Sequence, residues 1–195
     1  MSAGSRYLDL TVDELLTELA SPSPVPGAGF AAAVSVSMGA AIVTMAARLS
    51  SEWPEGRGSA AQAETLRKRV MELASRNTEA YAEALAALAG KEEKYRTRDE
   101  TMADALAVAA NVPLEIGDAA TTVAALAAEV AEHGEPRFRA DCAVAASLAV
   151  AGARAAATLV EVNLGTTSED ARVKKAGEQI EDAAASLEQA LAAVG

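Results

Sequence analysis

From Ser21 to Ala47 the chain carries no charged residue at all. Pro22, Pro24 and Pro26 punctuate the first part of that stretch, and Ala, Ser, Gly and Val make up most of the rest. An uncharged run belongs either in a bilayer or in the middle of a packed protein. The prolines forbid a helix through its first part, and small residues drive membrane insertion weakly. The stretch therefore predicts a Pro/Gly loop followed by one long helix, Ala28 to Ser50, apolar nearly all round and hence central to a helical bundle. The wider sequence agrees, since 50 of its 195 residues are alanine, the best helix former. Aromatics at 3% are too few for a β-sandwich or barrel, and 51% hydrophobic residues exclude a disordered chain.

The expected architecture is all-α: a single-domain bundle of about five or six helices over residues 1–195, around a central Ala/Gly-rich helix. Thr11 and Glu14 have capping-box spacing at the start of a helix that runs to Ala20. Gly29, Ala33, Ser37 and Ala41 fall four apart on the central helix, with Gly39 beside them, and such a stripe admits a close neighbour. A helix of about thirty residues follows from Ser59 to near Gly90. The next runs from about Glu100 to His133 with a kink at Pro113, and His133 and Gly134 predict a left-handed glycine cap. Phe138 to Leu164 and Ser168 to Ala193 complete the set, with Ser168 as N-cap.

Charge and composition narrow the function. With 28 acidic and 17 basic residues the net charge is −11, which opposes binding to a phosphate backbone. One cysteine, Cys142, and one histidine, His133, assemble neither a disulfide nor a Cys/His zinc set, so no metal is expected. The N-terminus has no secretory pattern, which predicts a cytoplasmic protein that binds neither membrane nor nucleic acid. No Walker loop, G-x-S-x-G elbow or H-E-x-x-H motif is present. The most informative local feature is Pro26-Gly27-Ala28-Gly29, a turn leading straight into a helix. It reads either as a donor-rich site at a positive helix end or as a tight turn that lets a small-residue helix pack closely.

Four blocks of sequence carry a resemblance: LLTELASPSPVPGAGFAAAVSVSMGAAIVTMAARLS, NTEAYAEAL, VPLEIGDAA and EHGEPRFRADCAVAASLAVAGARAAATLVEVNL. In their order and spacing the chain resembles the cyclodeaminase/cyclohydrolase family of folate enzymes. The resemblance implies an all-helical homodimer acting on tetrahydrofolate one-carbon derivatives. Two reactions share a tetrahedral carbon between N5 and N10: closure of 5-formimino-tetrahydrofolate with loss of ammonia, and hydrolysis of 5,10-methenyl-tetrahydrofolate. No permanently bound cofactor is implied; the tetrahydrofolate derivative is the substrate. Carried over by position, Asp141 is the catalytic candidate, and Pro26, Gly27, Gly29, Arg98, Arg154 and Asn163 are the substrate-binding ones. Ala28, Phe30, Asn77, Ala140 and Leu159 depart from the family pattern. Asn77 stands where a carboxylate is usual, and Phe30 is placed to fill part of the cleft.

Two functional readings follow. One is a formimidoyltetrahydrofolate cyclodeaminase or methenyltetrahydrofolate cyclohydrolase; the other is a non-catalytic helical relative that binds a folate-like ligand or a protein partner. The expected site has the Pro26–Gly29 turn facing Asp141 and Arg154 across a cleft, with the basic run Lys91, Lys94, Arg96 and Arg98 at its rim. Asp141 has a structural alternative as an ion-pair partner of Arg139 or a charge favoured by the helix start, and Arg154 reads equally as a buried partner for Asp141 or Glu161. Glu79, Glu115 and Asp118 are spare carboxylates, His133 reads as a helix C-terminal cation, and Cys142 reads as a small buried hydrophobe.

Overall fold

Helix dominates a computed structural model that describes residues 4–89, 98–165 and 169–195, the side chains of 87–89 and 98–102 excepted. The α-helices are α1 (Val12–Leu19), α2 (Ala28–Leu49), α3 (Gly56–Ala89), α4 (Arg98–Ala109), α5 (Asn111–His133), α6 (Arg139–Leu164) and α7 (Ala171–Val194). No strand occurs among the described residues. The N-cap of α1 is as expected: the Glu14 amide donates to Thr11 Oγ1 at 3.3 Å, and the Thr11 amide donates to Glu14 Oε2 at 2.8 Å.

As expected, α2 is the central helix; it packs on α3, α5 and α6, and Phe30, Ala33, Val36, Ala40, Val43 and Ala46 have no exposed surface. Burial contributes only ~0.8 kcal/mol per methylene-sized group, so a core of Ala and Val must collect many such groups by bringing backbones close. Two glycines allow this between the antiparallel helices α2 and α6. A Cβ on Gly39 would lie 2.8 Å from the Ala145 carbonyl oxygen, and one on Gly152 would lie 2.3 Å from Val36 Cγ2. Ser35 Oγ donates to the Leu148 carbonyl at 3.0 Å between those points. The expected small-residue stripe is thus divided. Gly29 and Ser37 turn to α3, Gly39 turns to α6, and Ala41 is exposed.

The structure corrects four local expectations. First, α3 starts three residues early, at Gly56, because the amides of Gly58 and Ser59 already bond to the Glu55 carbonyl. Second, the expected kinked helix is two helices, α4 and α5, broken at Ala110. Pro113 falls in the first turn of α5, where its missing N–H leaves no bond unmade. Third, Gly134 is extended rather than left-handed; a Cβ there would lie 2.7 Å from Ser50 Oγ, which accepts from the Glu135 amide at 2.8 Å. The left-handed cap is Gly165, at φ 73° after α6. Fourth, Ser168 lies outside the described residues, and α7 is capped by Asp170, whose carboxylate accepts from the Arg172 amide at 2.8 Å.

Helix α7 is clasped to the bundle by polar groups as well. Gln179, buried, donates to the Leu114 carbonyl at 3.2 Å and to Asp118 at 2.7 Å. Arg172 reaches the Ala107 carbonyl at 2.6 Å while holding Asp170 at 2.9 Å. The Arg172 hydrogen bonds keep the Asp170 carboxyl down at about 2.

Gly39→Ala pushes the α2 and α6 backbones apart and costs about 1–3 kcal/mol, which thermal unfolding reads as a fall of about 2–4 °C per kcal/mol. Because the folded pKa of Asp170 lies below its unfolded value, its stabilisation is complete above the ordinary carboxylate range and is lost as pH falls towards about 2. Amide exchange in the first turn of α7 rises over that window, and Asp170→Asn removes the dependence.

Candidate functional site

A cavity of about 200 Å³ opens where the start of α2 meets the middle of α3 and the last turns of α6. Pro24, Val25, Gly27, Ala28 and Gly29 form one wall. Asn77, Thr78 and Tyr81 of α3 form the second, and Leu159, Val162 and Asn163 of α6 the third. Ala109 and Pro113 close the floor from the α4–α5 junction.

The first wall is held by the short 3-10 turn Ser5–Asp9. Its buried Tyr7 donates to the Val25 carbonyl at 3.2 Å and meets the Phe30 ring edge-on, with centroids 5.8 Å apart. Gly4 lies so close to α3 that a Cβ would sit 2.3 Å from the Ser75 carbonyl oxygen. The N-terminal segment therefore ties the loop to the helix carrying Asn77. Phe30, expected to intrude on the cleft, points into the core against Tyr7 and leaves the cavity open.

The amides of Ala28 and Gly29 come before the first helix-bonded amides, those of Phe30 and Ala31, which donate to the Gly27 carbonyl. They add N–H groups and a positive helix end to the cavity wall. Gly29 is required there, because a Cβ would lie 2.2 Å from Asn77 Nδ2. Two carboxamides, Asn77 and Asn163, and two hydroxyls, Thr78 and Tyr81, supply the polar side chains; Thr78 donates back to the Ala74 carbonyl at 3.1 Å. No described residue lining the cavity carries a carboxylate. Neutral amides offer donors and acceptors side by side, a match for the edge of a nitrogen heterocycle, and the proline, valine and leucine walls suit its faces.

Of the residues expected at the site, Gly27, Gly29 and Asn163 line this cavity, together with Ala28, Asn77 and Leu159. Pro26 is buried beneath the loop. Arg98 is the first residue of α4 and its side chain lies outside the described residues, as do Lys91, Lys94 and Arg96. Asp141 and Arg154 are not brought to the cavity within one chain; both are exposed on α6. The reason is topological: α6 runs antiparallel to α2, so its first turn lies at the far end from Gly27. Asp141 stands 22 residues before Asn163 on the same helix, roughly 33 Å along its axis.

The spare carboxylates are occupied elsewhere. Glu115 pairs with Arg76 at 3.1 Å, Asp118 with Lys175 at 2.8 Å, and Glu79 lies 3.5 Å from the Ser75 hydroxyl. Cys142 is fully buried, and burial pushes its thiol up to about 11, as expected of an inert core residue. His133 ends α5, tilted against Trp53 with ring centroids 6.1 Å apart. Sequence reading missed Thr78 and Tyr81 as site residues. Their signal was the NTEAY text, in which Asn77 and Tyr81 fall four apart on one helix face.

Comparison with known proteins converges on one family. The family model described as formiminotransferase-cyclodeaminase matches residues 11–182. A methenyltetrahydrofolate cyclohydrolase of Methylorubrum extorquens is 34% identical over 163 residues, covering 78% of each chain. The crystal structure of a formiminotetrahydrofolate cyclodeaminase from Thermotoga maritima superposes with a TM-score of 0.78 at 24% identity, over 96% of this chain and 94% of that one, and so shares the fold. The match runs through the Pro26–Gly29 turn, the NTEAY face and the last turns of α6, and this chain belongs to the formiminotransferase-cyclodeaminase family.

Proposed function

We propose that this chain is a tetrahydrofolate one-carbon enzyme, and that of the family's two reactions it performs the hydrolysis of 5,10-methenyl-tetrahydrofolate to 10-formyl-tetrahydrofolate. The observation that carries the choice is the neutral polar lining of the cavity: two carboxamides, two hydroxyls and backbone amides, with no carboxylate among the described residues. The methenyl carbon is already an amidinium-like cation, so addition needs only water held against it, and the proton that N5 takes on leaving comes from the added hydroxyl. Expulsion of ammonia from the formimino group needs, in addition, an acid to protonate the leaving nitrogen. The methenyltetrahydrofolate cyclohydrolase at 34% identity points the same way.

In this reading the pterin edge pairs with Asn77 and Asn163 and its ring lies between Pro113 and Leu159. Water adds to the methenyl carbon, giving a tetrahedral carbinolamine and releasing one proton to solvent. The C–N5 bond then breaks, N5 takes a proton from the hydroxyl, and the formyl group remains on N10. Tyr81, at the cavity edge and 36% exposed, is the hydroxyl able to relay those protons. A cavity of about 200 Å³ takes the fused ring system and leaves the glutamate tail outside; Arg98, opening α4, is our candidate for gripping it.

The working form in this proposal is a cytoplasmic homodimer with one helical domain per chain and no resident cofactor. Two helices, Ala28–Leu49 and Pro136–Leu164, are long and apolar enough to cross a membrane, but their apolar windows are 61% and 56% buried inside the protein. What remains outward on them forms a surface for a second copy rather than for lipid.

Methenyl-tetrahydrofolate absorbs light and its hydrolysis product does not share that band. The wild type accelerates loss of the band over the buffer rate, and Asn163→Ala slows it by roughly 10²-fold. A protein that binds the folate without bleaching it is the non-catalytic relative instead. Gly29→Ala drives a methyl into Asn77 and lowers kcat/KM by about tenfold or more. Adding Asn77→Ala to Gly29→Ala restores the melting temperature without restoring turnover, which separates the steric effect from the chemical one.

A further inference from the structure

The floor of the cavity is the break between α4 and α5, and little apolar burial of its own holds that break. Of the α4 side chains described from Ala103 onward, Ala109 alone is buried, and Val108 is 69% exposed. Pro113 has no N–H, so the Ala109 carbonyl lacks the donor that an unbroken helix would supply. Ala109 and Pro113, one on each side of the break, are the residues that face the cavity.

Both sides of the break are held from α7, although no described residue of α7 lines the cavity. Nη1 of Arg172 donates to the Ala107 carbonyl at 2.6 Å and to Asn111 Oδ1 at 3.0 Å. One nitrogen thus joins the last turn of α4 to the first residue of α5, and each acceptor stands two residues before a floor residue. Asp170 holds the rest of the guanidinium: Nε donates to Oδ1 at 3.1 Å and Nη2 to Oδ2 at 2.9 Å. That paired grip fixes the guanidinium plane and aims Nη1 at the break, and a lysine ammonium has no planar fork with which to do the same. Further along α7, buried Gln179 donates to the Leu114 carbonyl at 3.2 Å. Residues 107–114 are therefore pinned at both ends by α7 while their middle lines the cavity. The tie of Lys175 to Asp118 at 2.8 Å joins α7 to α5 outside that segment.

We propose that Arg172 is a positioning residue: through the Ala107 carbonyl and Asn111 it holds the cavity floor where a fused-ring ligand can lie on it, so that α7 sets the affinity of a site it does not touch. The effect on affinity rests on the folate reading; the hold on the break does not.

Amide hydrogen exchange and steady-state kinetics test the two clauses separately. Arg172→Lys keeps the charge but loses the fork, and Asn111→Ala removes the α5 acceptor while leaving the start of α7 intact. In each variant, exchange at the Ala110, Asn111 and Leu114 amides rises about tenfold or more, and the second half of α5 keeps its rate. Lys175→Ala, which breaks a neighbouring tie, leaves those three amides unchanged. No rise at the break in Arg172→Lys overturns the proposal, and so does an equal rise in Lys175→Ala. With methenyl-tetrahydrofolate, Arg172→Lys and Asn111→Ala raise KM about tenfold and change kcat by less than about twofold, because the floor meets the ring and not the reacting carbon. A mere loss of folded protein lowers the apparent kcat and leaves KM where it was, and that pattern overturns the positioning role. If the wild type turns over no folate while the exchange pattern holds, the folate reading fails together with the effect on affinity, and the hold on the break stands.

Discussion

The close approach of α2 to its neighbours is the constraint on which the rest of this structure depends. Gly39 against the Ala145 carbonyl, Gly152 against Val36 and Gly29 against Asn77 are three points where no Cβ fits. The first holds α2 and α6 at a distance set by backbone, and the other two make room for the Val36 and Asn77 side chains against the facing helix. An alanine-rich core has little apolar surface per residue, and only such spacing lets Ala33, Ala40 and Ala46 of α2 be buried completely. The same spacing builds the cavity. Where α2 begins, Gly29 leaves room for the Asn77 amide, and the loop before it has already turned away.

The N-terminal segment explains why that loop is placed well enough to serve as a wall. A stretch holding Pro22, Pro24 and Pro26 makes few backbone bonds of its own, and Ser23 satisfies Val25 locally at 2.7 Å and 3.3 Å. Tyr7 supplies the long-range tie, its hydroxyl on the Val25 carbonyl and its ring on Phe30. The bulk of Phe30 that was expected from the sequence to intrude on the cleft becomes the anchor for Tyr7. It is thus absorbed on the core side of α2, and the cavity side keeps only Ala28 and Gly29.

The fold was legible because alanine content and an uncharged run speak to helix and burial directly, residue by residue. The Thr11–Glu14 cap was legible for the same reason: both partners lie within one turn. What sequence reading missed depends on how helices are laid against each other. Asp141 and Arg154 stand in a block that resembles the family, but nothing in their own helix says that its start lies at the far end from Gly27; the antiparallel packing of α2 on α6 decides that. Gly134 and Gly165 show the same limit on a smaller scale. Both follow a helix, yet Ser50, from a distant part of the chain, governs the first, whereas the second is a purely local left-handed cap.

The electrostatics of the whole chain bear on the chemistry we propose. A net charge of −11 raises the local concentration of cations, and the methenyl carbon is part of one. A carboxylate inside the cavity would hold that cation in its ground state as firmly as in the transition state, which contributes binding rather than rate. Carboxamides and backbone amides avoid this, since they orient water and heteroatoms without a fixed charge. The tail poses the opposite problem, because its carboxylates meet the same negative field. Positive charge is therefore needed only at the rim, where a carboxylate group arrives, and not at the reacting carbon. A neutral interior with cations at its mouth is the arrangement that an acidic protein requires to hold a substrate cationic at one end and anionic at the other.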